Sequence, residues 1–194
     1  MKPHRIPGLR QAQRGALLIE VLVAILICAF GLLGFAGMQA RATASEFESY
    51  QRSQALVLIE DMVNRINANR ANAADYHGDD LIGDGEIVVC DGIGADLDLC
   101  EWANLIRGSA ETRGGNKVGA MMSARGRITL AANTTDRYIV CIVWQGTLPS
   151  GAPASDCGQG DATFSDETLR RVVSSTVCIA RLRDPVVAPA VPRC

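Results

Sequence analysis

Histidine is scarce in this chain, with only His4 and His77 among 194 residues. A Ser-His-Asp site would have to use one of them, and no Gly-x-Ser-x-Gly elbow is present. No Cys-x-x-Cys pair occurs, so a zinc site would lack its usual ligand spacing. The acidic stretch from Gly78 to Glu86 does not have the spacing of an EF-hand loop and reads as a solvated turn. Gly92 and Gly94, and the pair Gly114-Gly115, follow no clear strand and open no strong helix, as a phosphate loop requires. The net charge is −2, so no global field favours nucleic acid. Arg107, Arg113, Lys117, Arg125 and Arg127 form a local basic run, but no aromatic residues interleave them as a single-strand stacking surface needs. Arg170, Arg171, Arg181 and Arg183 extend that run only if the fold brings them together, so nucleic acid is not an expected partner. The expectation is therefore no catalytic residue, no metal, no cofactor and no enzymatic activity. His77 reads as a helix-end cap or a solvated side chain.

Charge is missing elsewhere too. From Ala16 to Met38 the only charged side chain is Glu20. A helix over this run, rising about 1.5 Å per residue, is long enough to cross a hydrocarbon core of about 30 Å. A lone carboxylate in such a segment costs about 2–3 kcal/mol or more and tends to be kept for a purpose. Lys2, Arg5, Arg10 and Arg14 precede the run with no acidic residue among them. That asymmetry holds the amino end in the cytoplasm and sends the remainder outward. A secretory signal peptide is the rival reading, since small residues follow the apolar run between Gly34 and Met38. Gly31, Gly34 and Gly37 fall on adjoining turns and allow close approach of another helix.

Neither proline nor glycine occurs from Arg41 to Ala73. Phe47, Tyr50, Gln54, Leu58, Met62 and Ile66 recur at three or four residues, widened by Ala55, Ile59 and Val63. This predicts that the helix continues with one buried face, and it lacks the sustained heptads of a coiled coil. The Asn-rich stretch from Asn67 weakens it and Tyr76-His77-Gly78 ends it. A connection over residues 76–125 should hold a short strand at Ile87–Cys90 and a short helix from Asp96 to Arg107, with Leu97, Trp102, Leu105 and Ile106 inward. Strand signals follow at Arg127–Ala131, Arg137–Gln145 and Arg171–Ala180. They predict an antiparallel sheet over about 126–182 laid on the carboxyl half of the helix, with Trp144 as an anchor. The fold class is α+β, with an extended tail at 183–194.

Seven cysteines are present. Cys28 lies in the apolar run and reads as a small helix-packing residue. Cys90, Cys100, Cys141, Cys157, Cys178 and Cys194 lie beyond it, where an oxidising compartment allows up to three disulfides. Cys90 and Cys100 bracket a Gly-rich turn and are expected to pair. For the rest, Cys141–Cys178 would staple two strands and Cys157–Cys194 would tether the tail, although other pairings stay open.

Gly15-Ala16-Leu17-Leu18-Ile19-Glu20, with a basic leader before it and an apolar helix behind, resembles the processing site of type IV prepilins and pseudopilins. The resemblance implies cleavage between Gly15 and Ala16 by a prepilin peptidase and N-methylation of Ala16. Glu20, fifth in the mature chain, would meet a neighbour's amino terminus in an assembly salt bridge. Ala16 departs from the family, which usually has an aromatic residue or Met there. On this reading residues 1–15 are the leader, 16–40 the transmembrane and filament-core helix, 41–75 its amphipathic half and 76–194 the globular head. Val143-Trp144-Gln145-Gly146 with a cysteine soon after is similar to minor pilins of the PilV subclass. The resemblance implies a minor pilin that helps initiate pilus assembly within a tip or priming complex. Its partners would be other minor pilins, the major pilin, the inner-membrane assembly platform and a tip adhesin. It would sit in the bacterial inner membrane with its head in the periplasm, then outside the cell in the pilus. A minor pseudopilin of a type II secretion system shares these features. A signal-anchored extracytoplasmic binding domain, one that could bind DNA, is the alternative from another class.

Overall fold

The computed structural model describes residues 14–110, 112–114, 116–117 and 121–179, without side chains at 14–17, 112, 113, 116 and 117. The leader up to residue 13 and the tail from residue 181, with Cys194, lie outside the described residues. Helix α1 spans Arg14–Ala68 without a proline to interrupt it. It contributes to two compact units, which divide between Ser45 and Glu46. In the first unit every residue from Leu18 to Thr43 is exposed.

The second unit is the head. Here α1 buries Gln51, Ala55, Leu58, Ile59, Met62 and Ile66. The expected stripe is correct from Ala55 onward and misplaced before it, because Phe47 and Tyr50 remain 40% and 43% exposed. The head covers the face on which Gln51 and Ala55 lie, and periodicity by itself could not separate the two adjacent faces. The α-helix ends at Ala68, and a 3-10 segment continues over Arg70–Tyr76 with a kink at Asn72.

The connection then runs along the edge of the sheet, where Gly78 N–H donates to Ile128 O and Ile82 exchanges backbone hydrogen bonds with Gly126. No strand forms at Ile87–Cys90, contrary to expectation. The side chain of Asn104 takes the place of a partner strand there, accepting from Val88 N–H at 3.0 Å and donating to Val88 O at 2.7 Å. Helix α2 covers Ala95–Ile106, with Asp96 and Asp98 in its first turn, where they favour the helix dipole. Trp102 and Ile106 are buried and Leu97 and Leu105 half-buried. Strands β1 (Thr112–Arg113) and β2 (Asn116–Lys117) make a small hairpin.

Strands β3 (Arg125–Leu130), β4 (Arg137–Gln145) and β5 (Arg170–Cys178) form an antiparallel sheet in the order β3-β4-β5. Alternation sorts β4 between two faces. Tyr138, Val140, Ile142 and Trp144 join the core that contains Leu58, Ile59, Met62 and Trp102. Cys141 and Val143 join Cys157 and Phe164 in a second cluster. Gly126 lets α2 approach β3, since a Cβ there would lie 2.5 Å from the Trp102 ring and 2.8 Å from Ile106.

Cys90 and Cys100 form a disulfide, with Cα atoms 5.8 Å apart. Cys141 pairs with Cys157 at a Cα separation of 6.5 Å, which corrects both remaining pairings expected from sequence. The register explains why. Cys178 lies opposite Arg137, and Ser174 lies opposite Cys141. Cys178 is thus four residues along the ladder from Cys141, about 13 Å at roughly 3.3 Å per residue, well beyond the reach of a disulfide. Cys178 is itself disulfide-bonded.

Candidate assembly surface

The apolar half of α1 offers no cleft, only a helical surface. Leu18, Leu22, Phe30, Leu33 and Met38 are between 62% and 72% exposed. A Cβ at Gly31, Gly34 or Gly37 would meet nothing within 4 Å, so the notch these glycines make is open. The helix is long and apolar enough to cross a membrane. Glu20 is exposed on this surface, flanked by Ile19 and Val21, at 63% and 55% exposure. Gly15 and Ala16 lie in the first turn of α1. Cys28, also exposed, is a free thiol.

Three polar arrangements hold the head together, and sequence reading found none of them. The carboxylate of Glu48 lies where the loop after β4 begins. Its Oε1 accepts from the Thr147 and Leu148 backbone N–H groups at 3.0 and 3.1 Å and from Arg171 at 3.3 Å. Arg171 donates in turn to Leu148 O. Burial pushes the Glu48 carboxyl up, but the two backbone donors and Arg171 outweigh it, so it titrates below its ordinary 4.5. A depressed folded-state value gives stability that is fully present above about pH 4.5 and is lost as pH falls through the lowered value. Glu48→Ala is expected to cost about 1 kcal/mol at neutral pH. Urea midpoints at neutral and acid pH should differ less in the variant than in the natural chain.

Arg65 is the second. It bonds Asp61 at 2.8 Å on its own helix, and Asp98 and Glu101 of α2 at 2.9 and 2.6 Å. Burial would lower the guanidinium pKa, yet Glu101, Asp98 and Asp61 raise it above its ordinary value. Tyr76 donates to the same Asp98. Its phenol is raised by burial and by that hydrogen bond.

Arg170 is the third and is only 1% exposed. It bonds Glu167 through two nitrogens at 2.8 and 2.6 Å, and the carbonyls of Ser155 and Cys157 at 2.8 Å each. The loop between β4 and β5 is therefore anchored by a buried cation as well as by the Cys141–Cys157 bridge. A signal existed in the paired arginines that open β5, but nothing local distinguishes a buried Arg170 from an exposed one.

Several of the chain's arginines are engaged within the head. Arg170 is buried, Arg171 is bound to Glu48, and Arg127 pairs with Asp156 at 3.2 Å. His77 is exposed, its Nδ1 2.7 Å from Ala74 O beside the end of the 3-10 segment.

A family model described as Tt1218-like, type IV pilin Tt1218, matches residues 37–80. The matched stretch takes in the part of α1 that carries the buried face and the 3-10 segment that leads into the head. Over that stretch the chain is similar to type IV pilins. The comparisons with curated proteins and with solved structures returned no match. The observed architecture is α+β, a long amino-terminal helix, apolar at first, whose later turns pack on a small antiparallel sheet in a disulfide-bonded head, and it fits the pilin fold. The exposed apolar part of α1 has the length and composition that membrane anchoring requires.

Proposed function

We propose that this chain is a minor type IV pilin of the PilV type, a subunit of a tip or priming complex that helps start pilus assembly. A prepilin peptidase cuts between Gly15 and Ala16, and Ala16 is then N-methylated. The apolar helix holds the subunit in the inner membrane until the assembly platform draws it into the filament beside other minor pilins and the major pilin. One observation carries this reading: a single carboxylate, Glu20, on an apolar helical surface that is exposed throughout, five residues after Gly15. A carboxylate and an amine that are each costly to bury alone relieve one another when they pair.

Intact mass of the protein recovered from membranes tests it. The expected mass lacks the first fifteen residues, carries one added methyl group and shows six oxidised thiols. Gly15→Ala should yield an uncut chain that is absent from filaments. An unchanged mass and unchanged activity in that variant would favour a signal-anchored binding domain instead.

A further inference from the structure

The connection ahead of α2 exposes apolar side chains that the head makes no use of. Val89 is 92% exposed and Ile93 86%, with Ile87 and Val88 at 40% and 52% beside them. Scattered exposed apolar residues need no explanation, but these four fall within seven positions. They are also held firmly. The Cys90–Cys100 bridge ties the loop to α2. Asn104 binds both backbone groups of Val88, and Arg107 donates to Asp84 O at 2.7 Å and to Asn104 at 3.0 Å. Trp102, fully buried, seats α2 itself in the core. An apolar pair on a rigid mount loses little freedom when it is covered, which is how interface anchors are built.

Charge selects what covers it. No Lys, Arg or His occurs between Gly78 and Ile106. Asp79, Asp80, Asp84, Glu86, Asp91 and Asp96 are all exposed there, and none is in a salt bridge among the described residues. An acidic rim is repelled by anionic lipid and by nucleic acid, and it complements a basic protein surface.

We propose that the Cys90–Cys100 loop is a docking knob, with Val89 and Ile93 seated in an apolar socket rimmed by lysine or arginine on the head of a neighbouring pilin-type subunit. The choice of a pilin-type neighbour rests on the pilin reading. Subunits whose apolar helices lie side by side hold their heads at high effective concentration, so a small contact suffices. The contact joins two different surfaces, so it does not close as a symmetric dimer.

The test places a photoreactive phenylalanine analogue at Val89, at Ile93 or, as a control, at exposed Ala152 in the full chain in producing cells. Irradiation at 89 and 93 should give adducts at least about tenfold above the control. Mass spectrometry should place them beside lysine or arginine in a chain that bears the same Gly-x-x-x-x-Glu signature. Replacing Glu86 and Asp91 together by lysine should lower the yield by about tenfold. Control-level yield, or adducts with lipid, nucleic acid or an unrelated protein, overturns the proposal. If the chain is cut and present in sheared filaments, that failure leaves the pilin reading standing. If the chain keeps its leader and is missing from filaments, both fall.

Discussion

Glu20→Ala is expected to reach the membrane in normal amounts and to be missing from sheared filaments. Insertion depends on the apolar helix, and removing the one carboxylate from Ala16–Met38 makes that helix more apolar. Assembly is different. On the proposed reading, the amino group that cleavage exposes at Ala16 moves from the lipid interface into a core of packed helices, where a carboxylate compensates it. Removing one member of a buried ion pair costs about 3–5 kcal/mol, because the other charge stays behind unpaired. At about 1.4 kcal/mol per tenfold, incorporation should fall by about a hundredfold or more. Immunoblots of membranes and of sheared filaments check both halves of the expectation. Normal incorporation would show that Glu20 serves some purpose other than charge pairing. Glu20→Asp, which keeps the charge and shortens its reach, should retain part of the incorporation.

The second large effect is on stability. Trp102 is fully buried where α2, β3 and the later turns of α1 come together. Its indole N–H donates to Leu58 O at 2.8 Å, a hydrogen bond between residues 44 apart in sequence. Trp102→Ala should destabilise the head by about 3–5 kcal/mol, since Gly126 and Ile106, which shape the space around the ring, close only partly over the cavity. Trp102→Phe keeps most of the apolar area but loses the donor, and should cost about 1 kcal/mol from the hydrogen bond in addition to the smaller cavity. Urea unfolding followed through the fluorescence of Trp144, the other tryptophan, separates the two variants. Gly126→Ala attacks the same contact from the strand side by overpacking, and should cost about 1–3 kcal/mol.

Local order in this chain is largely visible in its residues. The end of the apolar run, the bounds of β4 and the position of α2 follow from hydropathy and from breakers that act within a few residues. Arg137–Gln145 is a strand because β-branched and aromatic residues fill both its faces, and the sheet buries both. The expected strand at Ile87–Cys90 had the same local signal in Ile-Val-Val. It failed because Asn104 binds both backbone groups of Val88, and among the described residues no strand pairs with this stretch.

What the amino-acid sequence determined by itself is the amino-terminal part of the molecule: a long apolar run, one carboxylate within it, a glycine at a set distance before it and a helix that no proline interrupts. Those are properties of composition and spacing, and they need no tertiary partner to be read. Tertiary structure alone decided which face of residues 46–68 is covered, that Cys141 meets Cys157, and that Glu48 and Arg170 are bound by groups far along the chain. Each of those depends on strand register and loop path, which bring together side chains whose own neighbours in sequence carry no record of the meeting.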